Sequence, residues 1–165
     1  MFLRAARNAG FEVPEDAIYE AMRFVEQCFE PEQGAFWYTA NPNAPNNHLN
    51  QGMNGAGILM LALGGKHDSP IAQRAGNWLM ENPISTEDRF YDYAAYYCAQ
   101  AYVQLGEPYW TFGFRPLLNM LLDEQLDNGA WPASTVAHYY GDLYTTSLVT
   151  LALGAPLQLM PIYQR

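Results

Sequence analysis

The stretch SLVTLALGAP at residues 147–156 decides the fold, because its pattern occurs twice more, as GILMLALGGK at 57–66 and AQAYVQLGEP at 99–108. Each is an apolar run closed by Leu then Gly: Leu63-Gly64, Leu105-Gly106 and Leu153-Gly154. Glycine just past a helix end takes the left-handed conformation that closes off the last carbonyls, so each pair predicts a helix stop. From Leu63 to Leu105 is 42 residues and from Leu105 to Leu153 is 48, the length of a helical hairpin repeat.

Outward from each run lies a helix of a different kind. From Pro14 to Phe29 the residues Ile18, Ala21, Met22, Val25 and Phe29 recur at helical spacing, with Glu15, Asp16, Glu20, Arg23 and Glu26 largely opposite. A second amphipathic helix opens at Ser69-Pro70 with Ile71, Ala75, Trp78 and Leu79 as its stripe. A third starts around Phe114 and Pro116 and carries Leu117, Leu118, Leu121, Leu122 and Gln125.

The glycine-terminated runs have almost no polar face, Asn54 being the exception in 53–63. A helix apolar all round must be covered on all sides. Alternation of wet outer and dry inner helices therefore predicts an all-α fold in which about three hairpins form two layers of one domain spanning 1–165. The connections 30–52 and 126–143 exceed what simple joining requires. Both open alike, GAFWY at 34–38 and GAWP at 129–132: a glycine to turn the chain, then an aromatic two residues on to tuck beneath the next hairpin.

Composition narrows the function classes. Half of the 165 residues are hydrophobic and 15% charged, with 8 basic against 17 acidic residues and a net charge of -9. Such a surface repels phosphate backbones and anionic membranes, so nucleic acid is excluded as a partner. No apolar run reaches the length of a membrane span. MFLRAARNAG at the start has two arginines without a following apolar run, unlike a secretory signal. Cys28 and Cys98 fall within helical patterns and read as small buried hydrophobes, outside any CxxC or Cys/His cluster.

The segment LLNMLLDEQLDNGAW at 117–131 resembles the QW motif of the alpha/alpha toroid repeats in squalene and hopene cyclases, a fold shared with protein prenyltransferase beta subunits and thioester-containing complement-type proteins. In that motif a helix ends in Gln shortly before Gly-x-Trp. Gln125, Gly129 and Trp131 match the positions that tie neighbouring repeats together, and FVEQCFEPEQGAFWY at 24–38 keeps Gly34 and Phe36. The resemblance implies a toroid-like arrangement, of which three hairpins are about half a ring. LRAARNAG reads as the tail of a preceding inner helix with its own glycine, Gly10, so the chain is expected to be the later part of a longer toroid.

The resemblance implies a fold and leaves the chemistry to individual residues. Cyclases of this kind use a DxDD motif; the nearest residues here are Glu87, Asp88 and Asp92, which do not match it. Prenyltransferases hold zinc through an Asp-x-Cys pair and a His at an inner-helix start; PEQGAFWY and GDLYTTSL supply neither, and His48, His67 and His138 are scattered among loops. No GCGEQ-like thioester loop occurs. The expectation is a binding or assembly module without cofactor or metal, with an aromatic-lined concave face for an apolar small molecule or peptide. Asn54, Asp92, Tyr96, Asp142 and Tyr144, at inner-helix starts, are the expected ligand-facing residues.

The competing expectation is an isoprenoid cyclase or transferase with Asp92 or Asp142 as the acid and tyrosines as a cation-stabilising wall. A glycan-handling helical barrel is a third, carried by no specific motif. A half-ring leaves flanks without neighbours, so self-association or docking on another domain is also expected.

Overall fold

A computed structural model describes residues 1–134, 137–159 and 161–163, and within them the fold is all-α. The helices are α1 (Phe2–Asn8), α2 (Glu15–Gln27), α3 (Gln51–Leu63), α4 (Pro70–Glu81), α5 (Tyr91–Leu105), α6 (Arg115–Asp123) and α7 (Asp142–Leu153). A π-helical turn, Trp110–Phe114, leads into α6, and short 3-10 turns cover Ala137–Tyr139, Ala155–Leu157 and Pro161–Tyr163.

The inner layer is the row α3, α5, α7, with α5 packed against both others. Gly55 permits close approach of α3 and α5, since a Cβ there would lie 2.7 Å from the Cys98 nitrogen. Ile58, Leu59 and Leu61 of α3 are sealed from solvent, and each such side chain stabilises the fold by about 1.5–3 kcal/mol.

The outer helices follow their predicted stripes closely in α4 and only in part in α2 and α6, where Ala21 and Leu122 are exposed. Helix α4 buries Ala72, Ala75, Gly76 and Leu79 on one stripe, and its Ser69 hydroxyl accepts the Ala72 N–H at 3.3 Å. Helix α6 buries Leu117 and Leu121, while Leu122 lies exposed. Helix α2 buries no residue fully; Met22 and Val25 rest on the core, and Lys66 pairs with Glu26.

Four expectations need correction. The left-handed stop in the first run is at Gly65 (φ 78°), one residue later than Gly64: Gly65 donates to Ala62 and Lys66 to Leu61, the two-bond closure of a helix end. Gly154 is helical, and the chain continues into the turn at 155–157. The connection 30–52 contains a two-stranded antiparallel ladder, Phe29–Glu30 (β1) with Ala35–Phe36 (β2), turned at Gly34 (φ 71°).

The fourth concerns coverage. Helices α3 and α5 are enclosed, whereas α7 buries only Thr145, Val149 and Ala152 and leaves Leu143 and Leu151 at 79% and 44% exposure. Among the described residues only α5 flanks α7 within the row, and the turns Ala137–Tyr139 and Ala155–Leu157 are its other neighbours, which leaves Leu143 and Leu151 facing solvent.

Candidate functional site

Three ties hold the third hairpin together. Gln125 Nε2 donates to the Gly129 carbonyl at 2.9 Å, and Trp131 Nε1 to the Leu121 carbonyl at 2.6 Å. The Trp131 N–H reaches Thr146 Oγ1 of α7 at 3.0 Å, and Gly129 makes the turn at φ 83°. The first hairpin repeats this construction. Phe36, two residues after the left-handed Gly34, is buried and donates its N–H to Asn54 Oδ1 of α3 at 3.1 Å. A buried aromatic and an inner-helix acceptor thus anchor each long connection.

Asn54 is consumed by that role, since its Nδ2 also donates to the Asn50 carbonyl at 3.1 Å. Asp92, 2% exposed, is likewise tied. One carboxylate oxygen accepts from Thr145 Oγ1 at 2.9 Å and Ser134 Oγ at 3.1 Å, the other from the Tyr93 N–H at 2.8 Å. Asp142 accepts the Ala133 N–H at 3.0 Å in the first turn of α7. Burial, reinforced by Asp92, Glu124 and Asp142, pushes the Tyr91 hydroxyl up to about 12; that hydroxyl donates to the Pro132 carbonyl.

The faces of α5 follow from these partners. Tyr91 and Tyr102 reach Pro132 and Leu79 in the outer layer, Asp92 reaches α7, and Cys98 reaches the Gln51 carbonyl of α3. Helical spacing leaves Tyr93, Tyr96, Tyr97, Gln100 and Gln104 on the fourth side, the inner face. There the Tyr93 and Tyr97 rings are 4.6 Å apart and Tyr96 and Tyr97 4.9 Å.

Tyr140 stacks obliquely on Tyr144 at 5.4 Å and meets Tyr139 edge-on at 5.3 Å. Burial raises the Tyr93 pKa, and Tyr97, Tyr144 and Tyr38 add to it by proximity. The result is two groups of rings toward the starts of α5 and α7, near enough for Tyr144 and Tyr38 to act on Tyr93. Tyr38, Tyr139, Tyr140 and Tyr144 are open to solvent.

Neither the family models, nor the curated proteins, nor the solved structures contain a match to this chain. Its site is therefore read from geometry.

Of the sequence-predicted residues, Tyr144 lies among the exposed rings, Asn54, Asp92 and Asp142 hold the framework, and Tyr96 is buried beneath Tyr163. A cleft of about 270 Å³ borders the starts of α3 and α5, between residues 48–52 and Asp88–Phe90. A larger groove of about 390 Å³ runs between α1, α2 and the end of α3. Both cysteines are free and buried. Among the described residues, no three His, Cys, Asp or Glu side chains converge as metal ligands, and no helix is long and apolar enough to cross a membrane.

Tyr93 and Tyr97 were legible as part of the aromatic wall but not as ligand-facing residues, though their four-residue spacing was available as a signal. Sequence reading missed Tyr163, for which no local pattern exists: its partners are 59 and 67 residues away.

Proposed function

We propose that this chain is a cyclase/prenyltransferase-like helical repeat domain, an arc of a toroid, that works as a non-catalytic binding or assembly module with its aromatic inner face as the binding surface. The observation that carries this reading is the use made of the acids beside the rings. Tyr93, Tyr97, Tyr140 and Tyr144 gather toward the starts of α5 and α7, while Asp92 gives both carboxylate oxygens to framework donors and the exposed Asp142 accepts the Ala133 N–H. Rings edged by hydroxyls suit an apolar small molecule or an apolar peptide side chain.

The repeated Gly, aromatic and inner-helix acceptor at Gly34-Phe36-Asn54 and Gly129-Trp131-Thr146 supports the QW-like reading. Gly10 closes α1 through the same two bonds that Gly65 uses for α3, Gly10 to Arg7 and Phe11 to Ala6, so the glycine stop recurs at the two helices. The exposed Leu143 and Leu151 of α7 support self-association or docking on another domain. The isoprenoid-enzyme alternative has less support, because both carboxylate oxygens of the buried Asp92 are engaged by three donors within the fold.

Titration with the neutral fluorescent probe N-phenyl-1-naphthylamine tests the reading. Saturable binding, weakened at least about tenfold by Tyr93→Ala or Tyr144→Ala in folded protein, is the expected result. Binding indifferent to both substitutions removes these rings as the site. Conversion of a polyprenyl substrate, lost in Asp92→Asn, would turn the assignment to the enzyme.

A further inference from the structure

The inner face of α5 carries a polar ladder among its tyrosines. Tyr96, Gln100 and Gln104 are each four residues apart, one above another on the same side of the helix, and all three are buried. Buried amides and hydroxyls require partners. One residue supplies two of them. The Tyr163 hydroxyl bonds the Tyr96 hydroxyl, and the Tyr163 carbonyl accepts from Gln104 Nε2 at 3.0 Å. The middle rung is left over: Gln100 Oε1 is buried with no hydrogen-bond partner among the described residues.

Tyr163 is held as a peptide ligand would be held, by a side chain inserted beside Leu59 and by its own backbone carbonyl. In the chain leading to it, Ala155 is anchored in the core, whereas Leu157 and Leu159 are exposed and Gln158 is in the left-handed region (φ 44°), which a residue other than glycine adopts at a cost. Among the described residues the occupant thus satisfies the two ends of the ladder and leaves its centre unmet, and two leucines just before it face solvent.

We infer that the Tyr96–Gln100–Gln104 ladder is a recognition site for an extended peptide bearing a tyrosine, and that residues 161–163 fill it in cis, so that a partner peptide binds by displacing them. The inference rests on the inner face being the binding face. A longer peptide carries backbone N–H groups, one of which supplies the donor that Gln100 Oε1 lacks. The hydroxyl contact to Tyr96 selects tyrosine over phenylalanine.

A fluorescein-labelled peptide with the sequence of residues 155–165, APLQLMPIYQR, supplied in trans provides the test. The full chain with Tyr163→Ala should bind it at least about tenfold more tightly than the unaltered chain, and a peptide with Phe at the tyrosine position several-fold less tightly. Equal binding to both chains, or binding to neither, overturns the inference. A second measurement needs no variant: excess unlabelled peptide should speed amide hydrogen exchange in residues 155–163 of the unaltered chain, and unchanged exchange counts against displacement. A chain that takes up N-phenyl-1-naphthylamine at Tyr93 and Tyr144 but ignores the peptide retains the ring site and loses the ladder.

Discussion

Thr145 of α7 donates its hydroxyl to the carboxylate of Asp92 in α5 across 2.9 Å, and neither side chain touches bulk water. The same oxygen accepts from Ser134 in the connection before α7. A buried carboxylate without a cation is thereby held entirely by hydroxyl and amide donors, and it joins the second hairpin to the third.

Removing one partner leaves the others buried and unmet. Thr145→Val should lower stability by about 1–3 kcal/mol and Asp92→Ala by more, because the latter orphans two hydroxyls and an amide at once. Urea denaturation checks both. Equal, small losses would show that the pair contributes little.

Trp131 combines core burial with an indole bond to Leu121. Trp131→Ala should cost about 3–5 kcal/mol. Trp131→Phe, which keeps the ring and loses the bond, should cost about 0.5–1.5 kcal/mol. Thermal denaturation distinguishes the two contributions.

Gly55 lies inside a helix, where alanine ordinarily gains about 1 kcal/mol over glycine. Here an added Cβ would meet the backbone of Tyr97 and Cys98 at 2.7 Å, which cannot rotate away. Gly55→Ala should therefore destabilise by about 1–3 kcal/mol. An increase in melting temperature would show that α3 and α5 can separate freely.

The buried tyrosines make a prediction about alkali. Burial first, then neighbouring carboxylates, raises Tyr91 from 10.0 to about 12, and burial also raises Tyr93, Tyr96, Tyr102 and Tyr163. The unfolded chain releases these protons first. Stability from keeping them neutral is complete below pH 10 and is lost as pH rises from 10 toward 12. Denaturant midpoints should fall across that window, with tyrosinate absorbance at 295 nm rising late and together with unfolding.

The open flank of α7 yields a prediction about assembly. Leu143 and Leu151 stand exposed two turns apart on that helix. Sedimentation velocity over a concentration series should show reversible self-association that Leu143→Arg weakens. A monomer at every concentration, with or without the substitution, rejects this flank as a contact between copies.

Local physics made most of the helices legible. Period, caps and glycine stops act within one or two turns, so α3, α4 and α5 lie where Leu63, Ser69-Pro70 and Leu105 place them. Gln125, Gly129 and Trp131, expected to tie neighbouring repeats, make bonds within ten residues of themselves, inside one hairpin. The short ladder at Phe29 and Phe36 was not legible, because two-residue strands carry no alternation to read.

What the sequence by itself determined is which segments are helices and which of them are too apolar to face water. Tertiary structure alone decided which side of α5 each polar residue faces, that Asp92 is spent between hairpins, and that Tyr163 lies on Tyr96. Such pairings join residues 42 to 67 positions apart, and a contact at that separation depends on how whole helices pack, which no local run of residues encodes.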